Sequence, residues 1–138
     1  MVGIVIVSHS AKIAEGIKDL ALQMAHDYDG IYAAGGMEDG SIGTDAVRIM
    51  DAIREADKGD GVVVFGDLGS GIISAEMAID MLDGEGINVK IADAPIVEGV
   101  IVAAVEASIG SDLNRIIEES EKTRDFRKIQ YFVWNKPH

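Results

Sequence analysis

Four short apolar runs, separated by segments with helical spacing, constrain the fold of this chain more than any other feature. They span residues 2–7, 31–34, 61–65 and 88–92. Each run has the length of a strand, and three are almost continuously apolar, which is typical of strands buried on both faces of a parallel sheet.

The segments between these runs repeat apolar residues every three or four positions, which predicts amphipathic helices. A fourth helix is expected at about residues 97–108, and a further helix follows it. The spacing also predicts that the methionines of the first three helices pack into the core: Met24, Met50, Met77 and Met81. The expected N-caps are Ser10, Thr44, Ser70 and, for the last helix, Ser111.

The resulting order, βαβαβαβα with one more helix, predicts an α/β fold in which helices flank both faces of a parallel sheet. At 138 residues the chain is expected to form one domain, over residues 1–121. Residues 122–138 form a tail that is first charged and then strand-like, over residues 129–134. We expect this tail to add an extra strand to a sheet edge or to contact a second subunit, or to pack on its own domain.

Composition excludes several functional classes. The chain has no cysteine, which rules out disulfides and thiolate chemistry and fits a reducing cytoplasm. Its net charge of -12 argues against nucleic acid and against an anionic membrane surface as partners. The apolar N-terminal run is too short for a signal peptide or a membrane span, so we expect a cytoplasmic protein.

The loops that follow the four strands should meet at one edge of the sheet, where open parallel sheets bind ligands. His9 is the only histidine in these loops, so no metal site and no cofactor is predicted there. An exposed imidazole nitrogen can instead accept a phosphoryl group when the other nitrogen is held by an acceptor. Asp67, at the end of the third strand, is the natural acceptor, because the first and third strands are expected to be neighbours.

Glycine-rich turns at the starts of the second and third helices can supply donors for phosphoryl oxygens. The candidate phosphate-binding residues are Gly43, Thr44, Gly69, Ser70 and, beside the histidine, Ser10. Alternatives remain open at this point: His9 alone is also compatible with a structural hydrogen-bonding role, and Asp67 with an N-cap of the third helix.

Four stretches carry a family resemblance: IVIVSHSAKIAEGIKDLA, AAGGMEDGSIGTDAVRIMDAI, FGDLGSGIISAEMAIDML and APIVEGVIVAAVEASIGSDLN. Together they resemble the phosphotransfer subunits, known as DhaM, of phosphoenolpyruvate-dependent dihydroxyacetone kinases. Those subunits are similar in turn to the mannose-type IIA domains of the sugar phosphotransferase system. The resemblance covers roughly residues 2–116, and its specificity lies in the combination of SHS, IGTDAV, DLGS and APxVEG.

The resemblance implies a homodimer in which His9 is the phosphorylated histidine and Asp67 orients it. It implies that the histidine carrier HPr donates the phosphoryl group and that ADP held on the partner subunit DhaL accepts it. The ATP formed there would phosphorylate dihydroxyacetone bound by DhaK. Some relatives carry fused HPr-like and enzyme-I-like domains, and because this sequence shows none, the phosphoryl group is expected to arrive in trans.

Two other classes of function remain. One is a IIA domain of a mannose-type sugar transport system, although such sequences usually lack the SHS and IGTD forms. The other is a non-enzymatic phosphorylation sensor, although no fused regulatory domain is visible in the sequence.

Overall fold

The computed structural model describes residues 1–129 of the chain. Nearly all of the predicted tail strand, residues 130–134, therefore lies outside the described residues. The elements are β1 (Gly3–Ser8), α1 (Ala11–Met24), β2 (Ile31–Gly35), α2 (Ala46–Ala56), β3 (Val62–Gly66), α3 (Gly69–Met81), β4 (Val89–Ile91), α4 (Ile96–Ser108), α5 (Leu113–Glu121) and a 3-10 turn (Lys122–Asp125).

The four strands form one parallel sheet in the order β2-β1-β3-β4, which confirms the predicted fold class. β1 lies in the middle and pairs with both β2 and β3, so that Val7 faces Ala34 on one side and Gly66 on the other. Because every strand runs in the same direction, all four carboxyl ends meet at one edge of the sheet. The first and third strands are neighbours, as expected from the sequence.

Alternating side chains of β1 divide the core into two layers. Ile4 and Ile6 pack among residues of α1, α4 and α5 on one face. Val5 and Val7 pack among residues of α2 and α3 on the other face. All four side chains are fully buried, so the central strand is fixed from both sides by apolar contacts.

The predicted packing of the methionines is wrong for three of the four. Met24, Met77 and Met81 are 56%, 54% and 45% exposed, and only Met50 packs against the core. Most sheet-facing positions of α1 and α3 are held instead by small side chains, Ala14, Ala21, Ala75 and Ala78, with Ile17 as the larger exception in α1. Alanines let the helices approach the sheet closely, which leaves the longer apolar side chains on the outer surface.

The Ser10 N-cap is confirmed, because its hydroxyl accepts the Ile13 N–H of α1 at 3.3 Å. The Thr44 N-cap is wrong, since the carboxylate of Asp45 accepts the first free N–H groups of α2. The Ser111 N-cap is wrong for the same reason: the neighbouring Asp112 caps α5. In both cases a carboxylate one residue further on is the stronger acceptor for a helix N-terminus.

The Ser70 N-cap is also wrong. α3 begins two residues earlier than that cap implies, with Leu68 at the cap position and no side-chain capping bond. Ser70 therefore lies inside the first turn of α3, and its hydroxyl is available to the edge of the sheet. Within residues 1–129, no helix is both long enough and apolar enough to cross a bilayer.

Candidate active site

The candidate site lies in the crevice between the carboxyl ends of β1 and β3. β1 continues into α1 on one face of the sheet, whereas β3 continues into α3 on the opposite face. Adjacent strands whose connections leave in opposite directions open a crevice, and this is where parallel α/β sheets bind ligands. His9 follows β1 at this point and Asp67 follows β3.

The structure brings His9 and Asp67 into direct contact. Nδ1 of the His9 ring lies 2.9 Å from Oδ1 of Asp67, and the backbone N–H of His9 donates to Oδ2 at 2.9 Å. The two side chains are 23% and 14% exposed, so they are shielded but reachable from solvent. Asp67 is not the N-cap of α3, because that position belongs to Leu68.

The carboxylate of Asp67 is held in its ionised form. Burial raises the pKa of Asp67, but hydrogen bonds donated by His9, Ser8 and Leu68 outweigh that effect and leave the pKa below its usual value. An ionised carboxylate can only accept hydrogen bonds, so Nδ1 of His9 carries the ring proton. In that tautomer the lone pair of the neutral ring is on Nε2.

Nε2 of His9 lies 2.6 Å from Oγ of Ser70, which therefore donates its hydroxyl hydrogen to the ring. Gly69 and Ser70 are the first two residues of α3, and N–H groups in a first helical turn have no acceptor within the helix. The hydroxyl, the unpaired N–H groups and the positive end of the α3 dipole thus lie beside the basic nitrogen of His9. Such a surface favours a dianion bound to Nε2.

The loop between β2 and α2 is joined to the site through backbone contacts. The N–H of Gly43 donates to the carbonyl oxygen of His9 at 2.8 Å, so this donor is already engaged. The Thr44 hydroxyl lies 2.6 Å from Oγ of Ser74, which links the loop to α3. The loop adjoins His9 as the sequence predicts, but in this structure these contacts support the turn that carries the histidine.

Ser8 is a site residue that the sequence reasoning missed. It is the last residue of β1 and is fully buried, and its hydroxyl donates to Oδ2 of Asp67 at 2.9 Å. The hydroxyl oxygen of Ser8 in turn accepts the backbone N–H of Ser10 at 3.1 Å. The available signal was a single hydroxyl at the end of an otherwise apolar central strand, because a buried hydroxyl requires a polar partner.

A shallow groove of about 340 Å³ opens next to Asp67, between the ends of β3 and β4. Leu68 and Ile72 form part of its wall, with Asp93 on the opposite side. Among residues 1–129, no three His, Asp or Glu side chains are grouped so that they could hold a metal ion. The groove lies on the same edge of the sheet as the His9 ring.

The described part of the chain is an α/β domain of the parallel-sheet class, with a carboxylate-bound histidine in its crevice. Residues 3–117 match the family model EIIA-man, described as the PTS system fructose IIA component, and the chain belongs to this family.

Individual relatives within this class carry a more specific name. The chain is 40% identical over 120 residues to the phosphoryl donor subunit DhaM of PEP-dependent dihydroxyacetone kinase 2 from Listeria innocua, covering 86% of this chain and 96% of that protein. It is 37% identical over 141 residues to the corresponding DhaM subunit from Klebsiella michiganensis, covering 99% of this chain but only 30% of that longer protein. The crystal structure of a protein described as being of unknown function superimposes with a TM-score of 0.77, at 39% identity, covering 88% of this chain and 93% of the other.

Proposed function

We propose that this chain is the phosphocarrier subunit of a phosphoenolpyruvate-dependent dihydroxyacetone kinase, with a phosphohistidine intermediate on His9. The relatives named DhaM, which match most of the chain, support the assignment to this kinase. The observation that carries the chemistry is the contact between Nδ1 of His9 and Asp67, which leaves Nε2 unprotonated and facing the N-terminus of α3. HPr is the proposed donor, and ADP bound to DhaL is the proposed acceptor.

In the accepting step, the lone pair on Nε2 of His9 attacks the phosphorus of the donor's phosphohistidine. The phosphorus–nitrogen bond of the donor breaks, and its electron pair returns to the donor ring. The His9 ring keeps its Nδ1 proton and becomes a cation, which the adjacent Asp67 carboxylate stabilises. The Ser70 hydroxyl must leave Nε2 during this step, and it can then donate to a phosphoryl oxygen.

In the donating step, a terminal oxygen of ADP attacks the same phosphorus atom. The bond to Nε2 breaks, its electron pair returns to the neutral imidazole of His9, and ATP is formed on DhaL. DhaK would present dihydroxyacetone to that ATP. Because one nitrogen serves both steps, HPr and DhaL must use the site in turn.

The proposal also includes a homodimer and a cytoplasmic location, and it requires no cofactor or metal. The dimer rests on the resemblance to the family and on the strand-like tail. The location rests on the absence of cysteine and on the expected partners.

The test is transfer of labelled phosphate from phosphoenolpyruvate through enzyme I and HPr, followed by mapping of the acid-labile phosphate. We expect His9→Ala to abolish labelling. His26→Ala is the matched control, because His26 is exposed just after α1 and should have no effect. Label on the His9→Ala protein would overturn the phosphohistidine assignment.

The acceptor is tested with the labelled wild-type protein. Release of label as ATP on addition of DhaL and ADP supports the kinase role. Release only to a IIB protein of a sugar transporter would replace that role with sugar transport.

A further inference from the structure

Ser8 occupies an unusual position for a hydroxyl group. It ends the central strand β1, its neighbours in that strand are apolar, and its side chain is fully buried. Its oxygen has two hydrogen-bond partners, Oδ2 of Asp67 at 2.9 Å and the backbone N–H of Ser10 at 3.1 Å. Ser8 therefore connects the start of α1 with the carboxylate at the end of β3.

The chemistry of these two partners fixes the direction of the hydroxyl hydrogen. The N–H of Ser10 can only donate, so it occupies a lone pair of the Ser8 oxygen. The ionised Asp67 can only accept, so the hydroxyl hydrogen points at Oδ2. The donors therefore converge on Asp67: Ser10 donates to Ser8 and Ser8 donates to Oδ2, while Nδ1–H of the His9 ring donates to Oδ1.

The donors around Asp67 are divided equally between its two oxygens. Oδ2 accepts from the Ser8 hydroxyl and the His9 backbone, whereas Oδ1 accepts from the His9 ring and the Leu68 backbone. Among residues 1–129, the Ser8 hydroxyl is the one side-chain donor to Asp67 other than the ring itself. Together with the His9 backbone N–H, it holds Oδ2 away from the ring and leaves Oδ1 to face Nδ1.

We propose that Ser8 is a positioning residue that orients Asp67 and thereby keeps the proton of His9 on Nδ1. Without the hydroxyl, Oδ2 loses half of its donors and the carboxylate can rotate about its Cβ–Cγ bond. The bond to Nδ1 then weakens, and the ring populates the tautomer with its proton on Nε2. That tautomer has no lone pair at the proposed nucleophile, so the consequence for phosphoryl transfer rests on the proposed function.

The experiment compares Ser8→Thr with Ser8→Val, two β-branched variants of nearly equal size that differ in one hydroxyl. Nitrogen-15 NMR of the histidine rings reports the tautomer of His9 directly and needs no phosphoryl donor. We expect Ser8→Thr to keep the wild-type Nδ1–H tautomer and Ser8→Val to show a mixture. Phosphorylation by HPr should be roughly ten-fold slower in Ser8→Val than in Ser8→Thr.

The matched structural control is Ser120→Ala. Ser120 is an equally buried serine, and its hydroxyl donates to the carbonyl of Ile117 in α5. We expect this variant to lose stability without any change in the His9 tautomer. Equal tautomer populations in Ser8→Thr and Ser8→Val would overturn the positioning role, even if both proteins fold.

The two readouts separate this inference from the proposed function. A shifted tautomer in Ser8→Val, in a protein whose wild type is never phosphorylated, would support the role of Ser8 and overturn the phosphocarrier assignment. Normal phosphorylation of the wild type, with identical His9 tautomers in both variants, would support the phosphocarrier assignment and overturn the role of Ser8.

Discussion

At the scale of single residues, the contact between His9 and Asp67 determines which ring nitrogen is available for chemistry. Of the four hydrogen bonds to the Asp67 carboxylate, two come from backbone N–H groups of the turns after β1 and β3, one from Ser8 at the end of β1, and one from the ring. The sequence predicts this pair because both residues end strands of one parallel sheet. It does not predict Ser8 or the bond from Ser70 to Nε2, because those depend on side-chain directions within the turns.

Asp67→Asn should keep the fold and slow phosphorylation of His9. An asparagine has one acceptor oxygen in place of two. Its NH₂ group can only donate, so it would face the N–H and O–H donors that bind Asp67 without accepting from them. Loss of the correct tautomer costs about 10⁴-fold in a serine-protease triad, and we expect a loss of about 10²–10⁴-fold in the rate of transfer from HPr. Rapid-quench measurement of that rate is the test.

Asp112→Asn provides the control for this variant. Asp112 caps α5 through the Arg115 N–H, and asparagine caps helices about as well as aspartate. Its transfer rate should equal that of the wild type. An unchanged rate in Asp67→Asn as well would remove the carboxylate from the mechanism.

At the scale of elements, strand positions are predictable because continuous apolar runs must be buried on both faces, and all four strands lie within one residue of their expected ends. Which apolar side chains of α1 and α3 face the sheet and which face outward is less predictable. Met77 and Ala78 are adjacent in sequence, and hydrophobicity alone favours burial of the methionine, whereas close helix–sheet packing selects the alanine. The predicted N-caps Thr44 and Ser111 are wrong for a related reason. The hydroxyl of Thr44 bonds to Ser74 and that of Ser111 to Glu106, and the aspartate that follows each of them caps the helix.

The first turn of α3 must pass close to the site, and Gly71 makes this approach possible. A Cβ at position 71 would lie 2.9 Å from Oδ1 of Asp67 and 3.7 Å from the His9 ring. Gly71→Ala should therefore displace the carboxylate and slow phosphorylation by roughly ten-fold, comparable to loss of one charge-assisted hydrogen bond. Alanine has a helix propensity about 1 kcal/mol more favourable than glycine. This gain offsets the cost of the close contact, so the unfolding temperature should change little.

Gly16→Ala is the matched control in α1. Gly16 is exposed within the helix, and a Cβ there would meet nothing within 4 Å. This variant should gain about 0.5–1 kcal/mol of stability and phosphorylate at the wild-type rate. If Gly71→Ala also transfers at that rate, the close packing of α3 against Asp67 has no role in the reaction.

At the scale of the whole molecule, the candidate site is a consequence of topology. The order β2-β1-β3-β4 places the loop after β1 beside the loop after β3, although 58 residues separate His9 from Asp67 in the chain. The alternation of strands and helices predicts this edge of the sheet as the site. The topology does not predict the length of the functional protein, because the chain spans 30% of its Klebsiella relative and 96% of its Listeria relative.

The described part of the sheet has two edges, since β2 and β4 each pair with one neighbour within residues 1–129. Near the end of this part, Arg124 bonds to Asp93 at 2.9 Å and Lys128 pairs with Glu98 of α4. These contacts bring the start of the tail to the carboxyl side of β4. The sequence of residues 129–134 is apolar, aromatic and strand-like, and such a segment exposed without a partner would favour aggregation.

Truncation after Arg127 should therefore convert the proposed homodimer into a monomer or an aggregating species. Light scattering over a range of concentrations measures this for the full chain and for the truncated chain. Lys128→Gln is the control, because it removes the ion pair with Glu98 and keeps the tail. An exposed ion pair contributes about 0–1 kcal/mol, so this variant should remain dimeric. A truncated protein that keeps both its dimer mass and its solubility would exclude the tail, and the exposed stripe of Ile73, Met77 and Met81 on α3 would become the surface to test.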